Sequence, residues 1–303
     1  CDMAVRLFAT DLDGTCIHSS GEISRENLDA LARAVAAGCF VTPATGRSFY
    51  EMPEVLRVEK PYTHCICSNG ATLYDAAGNC IWKSCFAPEL VRALLAILSE
   101  YDTMIEVYTG GVPVTDAAKL NAASYDHYRI EPIYRPVITK TRKGVAALPA
   151  FLASRATRAE MFNVFFRDLK EREEAFSRLQ TLSSVELTTS MPNNMEILQK
   201  GVNKGATLSR LQRHLGLERA ETAAIGDRRN DLTLLSAAGV PLAVANACDA
   251  LKEEAVAVLC SNDENAVAEA IKTYVLGGGA QDARTKQNSL LEHRPIGLHP
   301  ARK

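Results

Sequence analysis

A short apolar run at residues 6–10 ends abruptly in the acidic segment Asp11-Leu12-Asp13-Gly14-Thr15. An apolar run that stops at acids and a glycine is typical of a buried strand ending in a loop. The pattern next predicts a helix from Ser24 to about Ala37, a strand at Cys39–Thr42, a short helix, and a strand at Thr63–Ser68. Strands alternating with helices pair in parallel through right-handed crossovers, so the chain is predicted to be an α/β protein.

The alternation changes near residue 82, where helices mix with hairpin-like strands up to about residue 189. The regular alternation of strands and helices returns after Glu196-Ile197-Leu198. We interpret this segment as a strand of the parallel sheet. The simplest account is a doubly wound core, residues 1–81 and 190–276, interrupted by an inserted α+β module at residues 82–189. Residues 277–303 show no periodicity and are predicted to be a disordered tail.

Polar clusters follow the predicted core strands. In open parallel sheets, ligands bind beyond the carboxyl ends of the strands. Four clusters are therefore expected to meet at one edge, and they are Asp11–Thr15, Thr45-Gly46-Arg47, Lys204 at the start of a helix, and Gly226–Asp231. Burying so many like charges is costly unless a cation and an anion share the site.

Phosphoryl transfer through an aspartyl phosphate fits these residues. Asp11 is predicted to be the nucleophile. Asp13, two residues on, points to the same side of an extended chain and would protonate the leaving oxygen, then deprotonate water. Lys204 would supply positive charge between nucleophile and phosphate. Thr45 would donate a hydroxyl hydrogen bond to the phosphoryl group, and Gly46 would let the backbone approach it.

The acids also predict a Mg²⁺ site. Mg²⁺ prefers six oxygen ligands, and those expected here are Asp11, the backbone carbonyl of Asp13, and Asp227, completed by water. Asp231, one helical turn beyond Asp227, is expected to hold a metal-bound water or to orient Lys204.

A second group of residues has a less definite role in the prediction. Arg47 is expected to contact substrate or cap, although a solvated arginine fits its position equally well. Asn69 and Asn194 are candidates to line the site, but both also suit ordinary turns. Asn230 is assigned to the surroundings of the site with Asp231.

Five segments together resemble the haloacid dehalogenase (HAD) superfamily, and in particular its Cof-like subfamily IIB hydrolases, over about residues 7–275. They are Asp-Leu-Asp-Gly-Thr (11–15), Ala-Thr-Gly-Arg (44–47), Ser-Asn-Gly-Ala (68–71), Glu-Ile-x-x-x-Gly-Val-x-Lys-Gly (196–205) and Gly-Asp-x-x-Asn-Asp (226–231). The resemblance implies a Rossmannoid core, a large inserted α/β cap and Mg²⁺-dependent phosphatase activity. The module at 82–189 falls where that cap belongs. Arg228 and Arg229 depart from the family pattern; the alternatives are that they face the phosphate or that they face solvent, and solvent is favoured.

Composition narrows the partners and the compartment. Lys plus Arg total 34 and Asp plus Glu total 36, for a net charge of −2, so no basic surface for nucleic acid or anionic lipid is expected. No apolar run is long enough to span a membrane. Most of the nine cysteines stand singly among apolar residues, which favours reduced thiols in a cytoplasmic protein. Nothing in the sequence indicates a protein partner.

The sequence therefore predicts a phosphomonoesterase acting on a small phosphorylated metabolite, with a sugar phosphate as the favoured class. Two alternatives remain open. One is a phosphosugar mutase of the phosphomannomutase type, which shares the Asp11 and Asp13 chemistry and needs a bisphosphate activator. The other is a non-catalytic phosphate-ligand sensor, although an intact nucleophile and acid/base favour turnover.

Overall fold

The computed structural model describes residues 4–155 and 158–277. Within these ranges, the strands β1–β14 are Leu7–Thr10, Phe40–Pro43, His64–Cys67, Thr72–Asp75, Cys80–Lys83, Thr103–Thr109, Val112–Asp116, Lys143–Val145, Ala159–Phe166, Val185–Thr188, Asn194–Gln199, Thr222–Gly226, Val240–Ala243 and Ala257–Val258. The helices α1–α11 are Arg25–Ala36, Glu54–Glu59, Pro88–Leu98, Ala122–His127, Arg135–Thr141, Leu148–Arg155, Leu169–Gln180, Lys204–Leu215, Leu232–Ser236, Asp249–Glu254 and Ala266–Ala270. The predicted tail lies outside the described residues from 278 onward.

The core is a five-stranded parallel sheet in the order β14-β13-β12-β1-β2. Its central strands β1 and β12 are buried at every residue, as expected for strands covered on both faces. Helix α1 packs against α11, and α8 packs against α9. The Ser24 side chain caps α1 by accepting from the Asn27 backbone N–H, as predicted. The doubly wound α/β core with an inserted domain is confirmed.

An antiparallel sheet of β3, β4 and β5 extends this core at the β2 edge. A parallel bridge between Ala44 and Ile66 joins the two sheets. The predicted third strand therefore exists, and it begins a hairpin that leads the chain into the inserted module.

The inserted module, called the cap below, is built on a six-stranded sheet in the order β10-β11-β9-β6-β7-β8. Strand β9 is buried at every residue because both faces of the sheet are covered. Phe162, Val164 and Phe166 belong to the larger apolar cluster, whereas Phe165 packs in a second cluster with residues of α4 and α5. The α4–α5 face of the cap is the one that meets the core.

The strand at Ile197 is not part of the parallel sheet, and that prediction is wrong. Strand β11 pairs antiparallel with β9 and β10, with Ile197 opposite Phe162 and Leu187. The cap sheet thus continues through Gln199, beyond the expected limit at residue 189, and the chain re-enters the core at α8. A short apolar run predicts a strand but carries no information on which sheet will accept it.

In the described part of the chain, no helix has the length and apolar character needed to cross a bilayer.

Candidate active site

Four backbone segments bring the predicted catalytic residues together. Strands β12, β1 and β2 are neighbours, so the residues after their carboxyl ends lie side by side. The Asp11 backbone N–H donates to Ile225 O at 3.0 Å, which ties the loop after β1 to β12. The fourth segment is the first turn of α8, which carries Lys204.

Lys204 lies between two carboxylates. Its Nζ donates to Asp11 Oδ1 at 2.7 Å and to Asp231 Oδ1 at 2.6 Å, and its side chain is 1 % exposed. Burial opposes the ammonium charge, but Asp11 and Asp231 outweigh it and raise the pKa of Lys204. Gly205 lets α8 approach α9 this closely, because a Cβ there would lie 1.9 Å from Thr233 O. Lys204 is therefore a fixed positive charge beside Asp11.

Asp231 accepts hydrogen bonds through both of its carboxylate oxygens. Its Oδ2 accepts from the backbone N–H groups of Asp227 and Arg228 at 3.1 and 3.2 Å, while its Oδ1 holds Lys204. Of the two predicted roles, orientation of Lys204 is the one with a contact in the structure.

Three buried carboxylates form a cluster with the character of a cation site. Ligand oxygens of Asp11, Asp227 and Asp231 all lie within 4.8 Å of one another. Burial and repulsion from Asp231 raise the pKa of Asp11, and the same two causes raise the pKa of Asp227 to about 6. A divalent cation bound by oxygen would relieve that repulsion, so these residues fit Mg²⁺.

Two neighbours of Asp227 were not singled out from the sequence. Thr15 Oγ1 donates to Asp227 Oδ1 at 3.4 Å. Gly14 has a φ of +82°, and a Cβ there would lie 2.3 Å from Asp227 Oδ2. The glycine after Asp13 is therefore required both by the turn and by the carboxylate behind it.

Asp13 is paired with Arg47. The guanidinium donates through Nη2 to Asp13 Oδ1 at 2.7 Å and through Nε to Oδ2 at 2.9 Å. Burial alone would raise the pKa of Asp13, but the charge and hydrogen bonds of Arg47 lower it. Arg47 also donates to Glu51 O at 3.2 Å. Arg47 is therefore not simply solvated, and its expected contact with substrate or cap stays a prediction.

Thr45 and Gly46 lie on the β2 side of the site. Thr45 is fully buried, and its Oγ1 accepts from the Arg47 backbone N–H at 3.1 Å. A Cβ on Gly46 would approach the Asn69 side chain to 3.3 Å, so this glycine leaves room for Asn69.

Asn69 links the site to the cap. Its Nδ2 donates to the cap residue Glu196 at 2.8 Å, and its Oδ1 accepts from Asn230 at 3.3 Å. Glu196 is buried, and burial raises its pKa. Glu196 belongs to a motif quoted above, yet its contact with Asn69 joins residues far apart in the chain and has no local signal.

Asn194 is not brought to the carboxylates. Its Nδ2 donates to Asn163 Oδ1 and Ser190 Oγ, both at 3.0 Å, and its Oδ1 accepts from the Met191 backbone N–H at 2.9 Å. These partners all belong to the cap, where Asn194 shapes the turn before β11.

Arg228 faces solvent only in part, because it also contacts Asp227 and the cap. Its Nε lies 3.4 Å from Asp227 Oδ2, and its Nη1 donates to the cap carbonyl of Ser190. Arg229 is exposed, as expected. From the sequence, Arg228 stood out as a departure from the family pattern. That departure did not indicate which groups its side chain contacts.

The cap closes over these residues and leaves a cavity of about 90 Å³, called the inner cavity below. Asp11, Asp13 and Asn230 line it from the core, and Phe165 and Met191 from the cap. Its roof is held by Arg142, whose guanidinium donates to Glu106 at 2.8 and 2.9 Å and also contacts Glu51 of the core.

The sequence profile of haloacid dehalogenase-like hydrolases matches residues 8–271. The chain belongs to that family. Its predicted membership in the HAD superfamily, with the Cof-like subfamily IIB, is confirmed. The chain is accordingly a HAD-type phosphatase, a hydrolase of phosphoric monoesters.

Relatives of this HAD phosphatase match about nine-tenths of its length and nearly all of their own. The 5-amino-6-(5-phospho-D-ribitylamino)uracil phosphatase YwtE of Bacillus subtilis is 30 % identical over 286 residues, 90 % of this chain and 99 % of the relative. Pyridoxal phosphate phosphatase YbhA of Escherichia coli is 27 % identical over 282 residues, 90 % of this chain and 100 % of the relative. The solved structure of a haloacid dehalogenase-like hydrolase from B. subtilis matches with a TM-score of 0.79 at 27 % identity, covering 88 % of this chain and 99 % of that one.

Proposed function

We propose that this HAD phosphatase is a Mg²⁺-dependent phosphomonoesterase that hydrolyses a small phosphorylated metabolite, with sugar phosphates the first class to test, through an aspartyl phosphate on Asp11. The observation that carries the proposal is the placement of Lys204 at 2.7 Å from Asp11, inside the cluster with Asp227 and Asp231. The proposal includes the cytoplasmic location predicted from the cysteines.

In the first half-reaction, an Asp11 oxygen attacks phosphorus while the bond from phosphorus to the leaving oxygen breaks. Asp13 gives its proton to that oxygen. Lys204 balances negative charge on Asp11 and on the phosphoryl oxygens, and Thr45 donates its hydroxyl hydrogen to one of them. Asp231 keeps the Lys204 ammonium in place through the second hydrogen bond.

In the second half-reaction, Asp13 takes a proton from water, whose oxygen attacks phosphorus and releases inorganic phosphate and the free Asp11 carboxylate. Asp11 and Asp227, with the backbone carbonyl of Asp13, would hold Mg²⁺, which when bound neutralises charge on the transferring group. The names of YwtE and YbhA support a substrate that is a phosphorylated small molecule.

The experiment separates the two half-reactions. Acetyl phosphate has a leaving group that needs little protonation, so the Asp13→Asn variant should still phosphorylate Asp11 and then hydrolyse slowly. After an acid quench, mass spectrometry should find a phosphate adduct on the peptide with Asp11 in Asp13→Asn. The wild type should show little adduct, and Asp11→Asn none. Asp249→Asn, an exposed acid outside the site, is the matched control and should behave as wild type.

Phosphate release should be measured in parallel over sugar phosphates, nucleotides and cofactor phosphates, with and without Mg²⁺. Release that needs Mg²⁺ and is lost in Asp11→Asn supports the proposal. Turnover only with a bisphosphate primer would favour the mutase, and an absence of both adduct and turnover would favour the sensor.

A further inference from the structure

Two spaces adjoin Asp13. One is the inner cavity, and the other is an open groove of about 860 Å³ between core and cap, called the outer groove. Six residues line both spaces and therefore form the partition between them; they are Asp13, Arg47, Glu51, Tyr134, Val137 and Arg228.

The inner cavity is too small for a whole substrate. Its volume of about 90 Å³ is smaller than the volume of about 150 Å³ of a cavity known to hold benzene. A phosphoryl group fits this space, but a sugar or aromatic ring does not. Because the acid/base Asp13 lies in the partition, the bond that breaks must also lie there, and the leaving group must extend into the outer groove.

The parts of the partition differ in how firmly they are held. The pairs Asp13–Arg47 and Glu51–Arg142 are largely buried, so removing one partner leaves an uncompensated charge. Arg228 is different because 43 % of its side chain is exposed. Its guanidinium donates to the Ser190 carbonyl, and it lies with Tyr134, at the start of α5, in the lining of both spaces. A single core side chain therefore adjoins two cap segments at the mouth of the inner cavity.

We propose that Arg228 and Tyr134 are specificity-determining residues that separate to admit the substrate and then flank its leaving group at the partition. Arg228 would donate to oxygen acceptors close to the ester oxygen, and the Tyr134 ring would cover the apolar face of a sugar or other ring. The favoured substrate is then a monophosphate whose leaving group is of ring size and bears hydroxyl or carbonyl oxygens. This inference rests on the proposed function for the position of the phosphoryl group.

The kinetic test compares a leaving group that is small with one that is not. Arg228→Ala should raise the KM for glucose 6-phosphate about tenfold, the effect of losing a charged hydrogen bond, and change the KM for methyl phosphate, whose leaving group has no further oxygen acceptor, less than about twofold. Tyr134→Ala should show the same substrate dependence. Arg229→Ala, the exposed neighbour, should change neither KM. If Arg228→Ala alters both substrates equally, or neither, Arg228 does not select the leaving group and the inference is overturned.

A second measurement needs no turnover. The backbone amides of α5, at residues 135 and 137–141, should exchange hydrogen for deuterium faster in Arg228→Ala than in Arg229→Ala, since the side chain beside Tyr134 is lost. Equal exchange in the two variants would overturn the proposal that Arg228 and Tyr134 close the inner cavity, even if the enzyme is active. Suppose instead that α5 exchanges faster in Arg228→Ala, but the wild type shows no turnover that depends on Asp11. That result would support the role of Arg228 and Tyr134 at the cavity mouth and refute the proposed function.

Discussion

Arg47 holds both oxygens of Asp13, at 2.7 and 2.9 Å, across 34 positions of sequence. The pair favours the ionised form of Asp13, which suits the proposed role of Asp13 as the base that activates water. The proposed first half-reaction needs the protonated form, so we expect the Arg47 contact to loosen when substrate binds. The same arginine therefore sets the proton affinity of the acid/base.

Replacing Arg47 should move the pH dependence of the reaction. In Arg47→Met, burial is no longer opposed by the guanidinium, so the pKa of Asp13 rises. The protonated acid then persists to higher pH, and the basic limb of kcat/KM for glucose 6-phosphate should shift upward by about one unit or more. Arg57→Met, in the outer groove, is the control and should leave the limb in place. If the basic limb of the kcat/KM profile does not shift in Arg47→Met, Asp13 does not control that limb.

Gly14→Ala should disable the cation site. The substitution forces a Cβ to within 2.3 Å of Asp227 Oδ2 at a φ of +82°. Gly21→Ala is a matched control, since its φ is +89° but nothing lies within 4 Å of the added Cβ. Each variant bears the backbone strain, about 1–2 kcal/mol, but only Gly14→Ala displaces Asp227. Titration of phosphatase activity with Mg²⁺ should show at least about a tenfold weaker half-saturation for Gly14→Ala alone. Equal Mg²⁺ requirements would contradict this assignment.

Asp231→Asn should slow catalysis. The asparagine has one acceptor oxygen, so it cannot accept both from Lys204 and from the backbone N–H groups of Asp227 and Arg228, and it lacks the negative charge that steadies Lys204 at 2.6 Å. Loss of a positioning residue of this kind lowers activity about 10–100-fold. The decrease should appear in kcat more than in KM. The adduct assay should show slower phosphorylation of Asp11. A kcat equal to that of wild type would mean that Asp11 alone is enough to hold Lys204.

Stability should depend on pH and Mg²⁺ through Asp227. Its pKa is raised from 3.8 to about 6, so its favourable contribution to folding is complete below pH 3.8 and lost as pH rises through about 6. In EDTA, the Tm of the wild type should therefore fall between pH 5 and pH 7.5 more than that of Asp227→Asn. Mg²⁺ should restore the wild-type Tm more at pH 7.5 than at pH 5, where protons compete with the cation.

The control for this thermal measurement is Asp249→Asn, which should follow the wild type at both pH values. If Mg²⁺ raises the Tm of Asp227→Asn as much as that of the wild type at pH 7.5, Asp227 is not a ligand.

The strand ends and the residues that follow them could be predicted because both signals are local. The all-apolar β1 and the acids that follow it lie next to each other in the chain, and parallel pairing then brings Asp11 beside the loop carrying Asp227. The same reasoning failed for Ile197, since an apolar run does not specify its sheet. For Asn194 the sequence left a site residue and an ordinary turn as alternatives, and the structure shows a turn that belongs to the cap.

The sequence by itself determined the parallel core, the inserted cap and the carboxylate and lysine chemistry at one sheet edge, because periodicity and the residues flanking each strand encode them locally. Only the tertiary structure decided that β11 joins the cap sheet, that Arg47 holds Asp13, and that Arg228 reaches the Ser190 carbonyl. The physical reason is that these contacts join residues distant in sequence, and a side chain chooses such a partner only when packing has placed both groups within hydrogen-bond distance.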